Sequence, residues 1–110
     1  MVLLSKLETK KTNEEQEIKY IYKLTETERN DEIAYGIVVE KLSIDNNQVI
    51  DINRECVELV SPIREKVEKL QKMLYNYEVS PIHLIDVAGE YIDECVLDFD
   101  KEYKDTRNII

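Results

Sequence analysis

VSPIREKVEKLQKMLYNYEVSPIHLID, residues 60–86, is the stretch where the hydrophobic rhythm of the chain changes and where the tetrapeptide Val-Ser-Pro-Ile occurs twice. Within it Ile63, Val67, Leu70, Leu74 and Tyr77 step by four and three, which places them on one stripe of a helix. Glu65, Lys66, Glu68, Lys69 and Lys72 fall on the opposite, wet side. Beyond the second copy, Ile82, Ile85, Gly89, Ile92, Val96 and Phe99 form another stripe, with Leu84, Val87 or Ala88, Tyr91 and Cys95 beside it. A helix apolar over so wide an arc needs cover on more than one side. Ser-Pro is a helix-start signal, because serine can cap an orphan N–H and proline at the first helical position sacrifices no bond. The repeat therefore reads as two capped helix starts, at Ser61 and Ser80, and not as a duplicated site. In the second copy Val79 and Leu84 have the spacing of a hydrophobic staple. The predicted helices span 62–77 and 81 to about 97. The short Asn-Tyr-Glu-Val-Ser link makes them antiparallel neighbours.

Working back toward the N-terminus, the period falls to two. Ile18, Tyr20, Tyr22 and Leu24 share one face of a strand, as do Ile33, Tyr35, Ile37 and Val39. Ala34, Gly36, Val38, Leu42 and Ile44 crowd the other face, and Gly36 signals a bulge or a close crossing. The polar stretch TETERNDE separates these strands, and IDNNQ, with Asn46 and Asn47 suited to left-handed geometry, leads to VIDINREC. VLLSKLE is a candidate for one more strand at the start. The expected fold class is α+β: an antiparallel β-meander of three or four strands over residues 1–56, then a helical hairpin over 57–100 packed on one sheet face, then a polar tail over 101–110, all in a single domain 1–110.

Composition narrows the function. Only two glycines and two prolines occur, so the chain makes a few long elements. A net charge of −9 disfavours direct binding to nucleic acid, which needs clustered Lys and Arg. Three apolar residues after Met1 are too few for a signal sequence, and no run approaches the roughly 20 apolar residues of a membrane helix. A soluble cytoplasmic protein is expected. Cys56 and Cys95, in no metal-like spacing, are expected to be buried reduced thiols.

No nucleophile elbow, phosphate loop or reactive-cysteine context is present, so neither an enzyme nor a cofactor is expected. The two serine-bearing helix starts, with Arg64 or His83 nearby, suggest phosphate, but no glycine-rich loop approaches them. DFDKE lacks the glycine and terminal glutamate of a calcium loop. His83, Asp86 and Glu90 project from one side of the second helix and are the candidate set for a metal or small ligand, although one histidine with helix carboxylates is an incomplete shell.

The acidic distribution says more. From Met73 to Asp100 there are seven acidic residues and no Lys or Arg. Asp86, Glu90, Asp93, Glu94 and Asp98, with Tyr91 as an aromatic anchor, form the candidate interaction surface. The partner it fits is a protein with a basic surface, with a homo-oligomer left open. Repulsion between the carboxylates weighs against self-contact on that side. Two other functions are weighed: the metal or ligand binder just described, and an acidic mimic of nucleic acid. Gly89, inside a helix, is expected to mark a close crossing, since glycine there costs about 1 kcal/mol relative to alanine.

From Tyr35 onward, YGIVVE, SPIREKVEKLQKMLYNYEVSPIHLIDVAGEYIDE and the closing DFD resemble a group of small proteins from spore-forming Gram-positive bacteria that share a domain of unknown function. The resemblance covers about the last two thirds of the chain. It implies a bacterial cytoplasmic setting and carries no enzymatic motif, ligand or functional residue.

Overall fold

The computed structural model describes residues 1–14 and 16–108, with side chains as far as Asp100. Four long strands, β1 (Val2–Asn13), β2 (Gln16–Arg29), β3 (Glu32–Asp45) and β4 (Gln48–Ser61), form an antiparallel sheet in the order β1-β2-β3-β4. Helix α1 (Arg64–Asn76), a single 3₁₀ turn (Pro81–His83) and helix α2 (Leu84–Asn108) follow. The α+β meander expected from the sequence is thus the fold, in its four-strand form. The strands outrun the expected boundaries: β2 continues through TETER to Arg29, and β4 passes Cys56 to end at Ser61. Both later hairpins close on two residues with positive φ, Asn30–Asp31 and Asn46–Asn47, the left-handed pair that matches strand twist. The stretch 101–110 continues α2 through Asn108, and the last two residues lie outside the description.

The sheet's period-two pattern decides which face is roofed. Tyr22, Leu24, Ile37 and Val39 pack under Val67, Leu70 and Leu74 of α1 and Leu84, Ala88, Ile92 and Cys95 of α2, with Val60 and Val79 closing the ends. Helix α1 lies chiefly across β1, β2 and β3, whereas α2 lies along the edge strand β4. Two buried polar side chains bond across the core. The Tyr22 hydroxyl donates to the Val79 carbonyl at 2.9 Å, and the buried Gln71 amide donates to the Tyr22 carbonyl at 2.9 Å.

Gly36 is a close crossing, as expected. A Cβ there would lie 2.3 Å from the Glu58 carbonyl oxygen, at a register shift between Tyr35 and Ile37 where β4 bulges against β3.

The two Val-Ser-Pro-Ile copies start helices, but neither serine caps one. Helix α1 begins at Arg64 with Ile63 in the cap position. Ser61 ends β4 instead: its hydroxyl accepts from the Ile63 N–H at 3.0 Å and donates to the Asp98 carboxylate at 3.1 Å. Ser80 stands at the cap of the 3₁₀ turn with Pro81 next, yet its side chain makes no cap bond. The difference is register: a bond to the Ile63 N–H, two residues on, turns the strand end and leaves the hydroxyl facing α2. At the other end of α1, Glu78 takes the left-handed position (φ 50°) usually given to glycine. The Glu78 N–H donates to the Tyr75 carbonyl at 3.2 Å and the Val79 N–H to the Leu74 carbonyl at 3.0 Å, a Schellman closure. Glu78 also pairs with Lys11, which ties the turn to β1.

Candidate functional site

Each residue of α2 advances about 100° around the helix, so its side chains divide into three sectors. Leu84, Ala88, Ile92 and Cys95 point into the core. One flank faces α1. There the Tyr91 hydroxyl donates to the Lys66 carbonyl at 2.8 Å, and the Lys66 ammonium donates to both Asp98 oxygens at 3.0 and 2.8 Å. Asp98, only 5% exposed, thereby joins the end of β4 through Ser61 to α1 through Lys66. The Asp98 bond also raises the pKa of Lys66. This arrangement corrects two expectations about the acidic surface. Asp98 is an internal connector, because the Lys66 ammonium and the buried Ser61 hydroxyl both converge on it. Tyr91 is half-buried with its hydroxyl committed to α1, so it is no anchor for a partner.

The third sector is open. Ile85 (57% exposed) and Val96 (40% exposed), with Gly89 between them, continue the stripe that begins at the exposed Ile82. Asp86, Glu90 and Asp93 run alongside, all exposed, with Leu97 (54% exposed) among them. Glu94 is exposed too but turns toward α1, at a shallow cavity it shares with Lys66 and Lys69. Because α1 closes one flank of α2 and β4 is the last strand, the open sector looks out past the sheet edge.

Gly89 sits in the middle of that sector and corrects another expectation. Among the described residues a Cβ there would meet only the Ile85 methyl at 3.4 Å, an ordinary contact, so none of them requires the glycine. The arc is as wide as the sequence implies, and the part the fold leaves uncovered is the part around Gly89.

His83 and Asp86 lie near each other, Nδ1 to Oδ2 3.9 Å apart, both largely exposed. Among the described residues no group of three His, Cys, Asp or Glu side chains is close enough to hold a metal ion, so Glu90 does not join them. Arg64 is drawn to Glu68 at 2.7 Å, away from the start of α2. Ser80, His83, Tyr20, Lys41 and Tyr77 line an open cavity of about 590 Å³ at that start.

The cysteines are both free, Cys95 buried as expected and Cys56 exposed on β4. Cys56 escapes cover because β4 is an edge strand and its side chain points to the sheet face that no helix roofs. Burial, with neighbouring carboxylates, pushes the thiol pKa of each upward, so both are poor nucleophiles.

On that unroofed face Glu40, 4% exposed, lies between two cations. It pairs with Lys23 and accepts from Arg54 Nε at 2.9 Å. Burial drives its carboxyl pKa up, but the two cationic hydrogen bonds outweigh it and hold the group below its ordinary range. A second chain of pairs, Lys6–Glu8–Lys19, lies nearer β1. Sequence reading missed this face; the alternation of Lys23, Glu40 and Arg54 on adjoining strands was the available signal.

The features define a small α+β protein with one roofed and one open sheet face and an uncovered apolar and acidic helix flank. No described helix is long and apolar enough to cross a membrane. The chain belongs to the family of unknown function DUF6514, whose model matches residues 1–94. The match takes in the sheet, α1 and the first part of α2, up to Glu94, and so extends on the N-terminal side beyond the region from Tyr35 onward that carried the resemblance. No curated protein and no solved structure matches the chain.

Proposed function

We propose that the protein is a small, non-enzymatic interaction module whose docking surface is the open sector of α2, and that its partner presents a basic amphipathic helix. The observation that carries this reading is Gly89: a glycine that no described residue crowds, in the middle of an exposed stripe of Ile82, Ile85 and Val96. A helix crossing at glycine approaches closely, and Ile82, Ile85, Gly89 and Val96, three, four and seven positions apart, lie along one exposed flank as a helix–helix seam does. Asp86, Glu90 and Asp93 beside it have no Lys or Arg partner among the described residues, so they favour a cationic flank on the incoming helix and repel a second copy. Glu94 adds to the same field.

The test is a nuclear magnetic resonance titration with two synthetic amphipathic helices identical in their apolar face, one with lysine and one with glutamate on the polar face. The expected result is saturable shifts at Ile85, Gly89 and Val96 with the lysine peptide, weakening as salt rises, and none with the glutamate peptide. Equal responses to both peptides, or shifts elsewhere, would contradict the proposal.

A further inference from the structure

The unroofed sheet face holds a feature that the docking proposal does not use. Ile21, Ala34, Val38, Thr25 and Glu40 all point to this face and are almost fully buried, although no helix covers them. Cover must come from the sheet itself. The pairing carries register shifts in β1, near Leu3, and between β3 and β4, near Gly36 and near Ser43, the kind of irregularity that adds local twist. The result is a trough of about 340 Å³, with Val38 and Thr25 on its floor, Leu3 on one wall, and Arg54 and Cys56 on the other, with Lys23 beside them. That volume is at the small end of ligand pockets, which run from about 300 to 1,000 Å³.

Two of its properties point to a ligand. First, two cationic side chains, Lys23 and Arg54, stand on the lining and meet at the carboxylate of Glu40. Arg54 is well exposed, so it can turn from Glu40 toward an incoming anion. Second, Thr25 is 2% exposed and its hydroxyl has no hydrogen-bond partner among the described residues. Buried hydroxyls are nearly always paired, and an unpaired one beside a cavity is a donor awaiting an acceptor. Met1, Leu3 and Val38 supply the apolar part of the lining.

We infer that this trough binds a small aliphatic monocarboxylate. The carboxylate lies between Lys23 and Arg54 with the Thr25 hydroxyl donating to it, and the tail runs over Val38 toward Leu3. A carboxylate is the acceptor that suits these two cations and the hydroxyl. Arg54 receives a carboxylate through two parallel N–H bonds, and the aliphatic tail replaces water on the trough floor.

Octanoate is the probe, with octylammonium as its charge-reversed control. Titration of the full chain is expected to give saturable shifts at Thr25, Val38 and Cys56 with octanoate alone. Octanoate should also slow alkylation of the Cys56 thiol, the exposed one of the two. Arg54→Gln and Lys23→Gln should each weaken octanoate by about tenfold, the usual worth of one charge-assisted hydrogen bond. The spectrum of each variant reports whether the fold is kept, and one folded variant suffices. Three results would overturn the inference: no saturable shift at millimolar octanoate, equal binding of octylammonium, or protection of Cys56 by concentration-dependent self-association in place of the ligand.

Discussion

The chain contains two glycines, and they answer to different demands. Gly36 is dictated from within, since two β4 carbonyl oxygens stand 2.3 and 2.5 Å from where a Cβ would be. Gly89 would meet only the Ile85 methyl, at an ordinary 3.4 Å, among the described residues, and it costs the helix propensity that alanine would restore. Fold stability explains the first and argues against the second. What the contrast teaches is that a residue unfavourable to its own element and idle in the fold is a pointer to something outside the fold. The proposed helix docking supplies that something for Gly89.

The largest effect should come from Gly36. Gly36→Ala drives a methyl group into the β4 backbone, where no side chain can rotate away, and is expected to cost about 3 kcal/mol or more by urea denaturation. A near-neutral result would place the two glycines in the same category and remove the contrast.

Asp98→Ala should cost less, about 1–2 kcal/mol, because it strands the buried Ser61 hydroxyl while Lys66, partly exposed, can turn to water. The same substitution at Asp93, exposed on the open sector, should leave the midpoint within about 0.5 kcal/mol. Equal costs would mean that the two flanks of α2 do not differ as described.

Gly89→Ala should raise stability by about 0.5–1 kcal/mol, the ordinary propensity gain in an uncrowded helix. Destabilisation would show that something within the chain crosses at Gly89. Smallest of all is Ser80→Ala, expected to shift stability by less than about 0.5 kcal/mol because its hydroxyl makes no cap bond. A loss near 1 kcal/mol would restore Ser80 as a working cap.

Much of the architecture was legible because periodicity reports directly on burial. Tyr22 and Leu24, Ile37 and Val39, and Val67, Leu70 and Leu74 were each read onto a common face, and each pack together in the core. Gly36 was legible as a crossing because a glycine in an otherwise branched strand has few other uses. The site was less so. Ser61 and Ser80 lie in identical tetrapeptides, and only the presence of Asp98 across 37 residues gives the first a different task. Asp93 and Asp98 are the same residue type on one helix, five positions apart, and which is spent inside depends on where Lys66 comes to rest. The trough on the open face was invisible because its lining comes from all four strands, and which residues meet there depends on pairing registers that no local pattern encodes.

The most direct test of the docking proposal is the affinity of the lysine peptide for Gly89→Leu. Leucine favours helix, so the monomer should fold at least as stably as the parent chain, while its side chain stands where the incoming helix must cross. The expected result is an affinity at least about tenfold weaker with the salt dependence unchanged, since the carboxylates remain. An unchanged affinity in a fully folded Gly89→Leu protein would mean that the space around Gly89 is not where a partner docks.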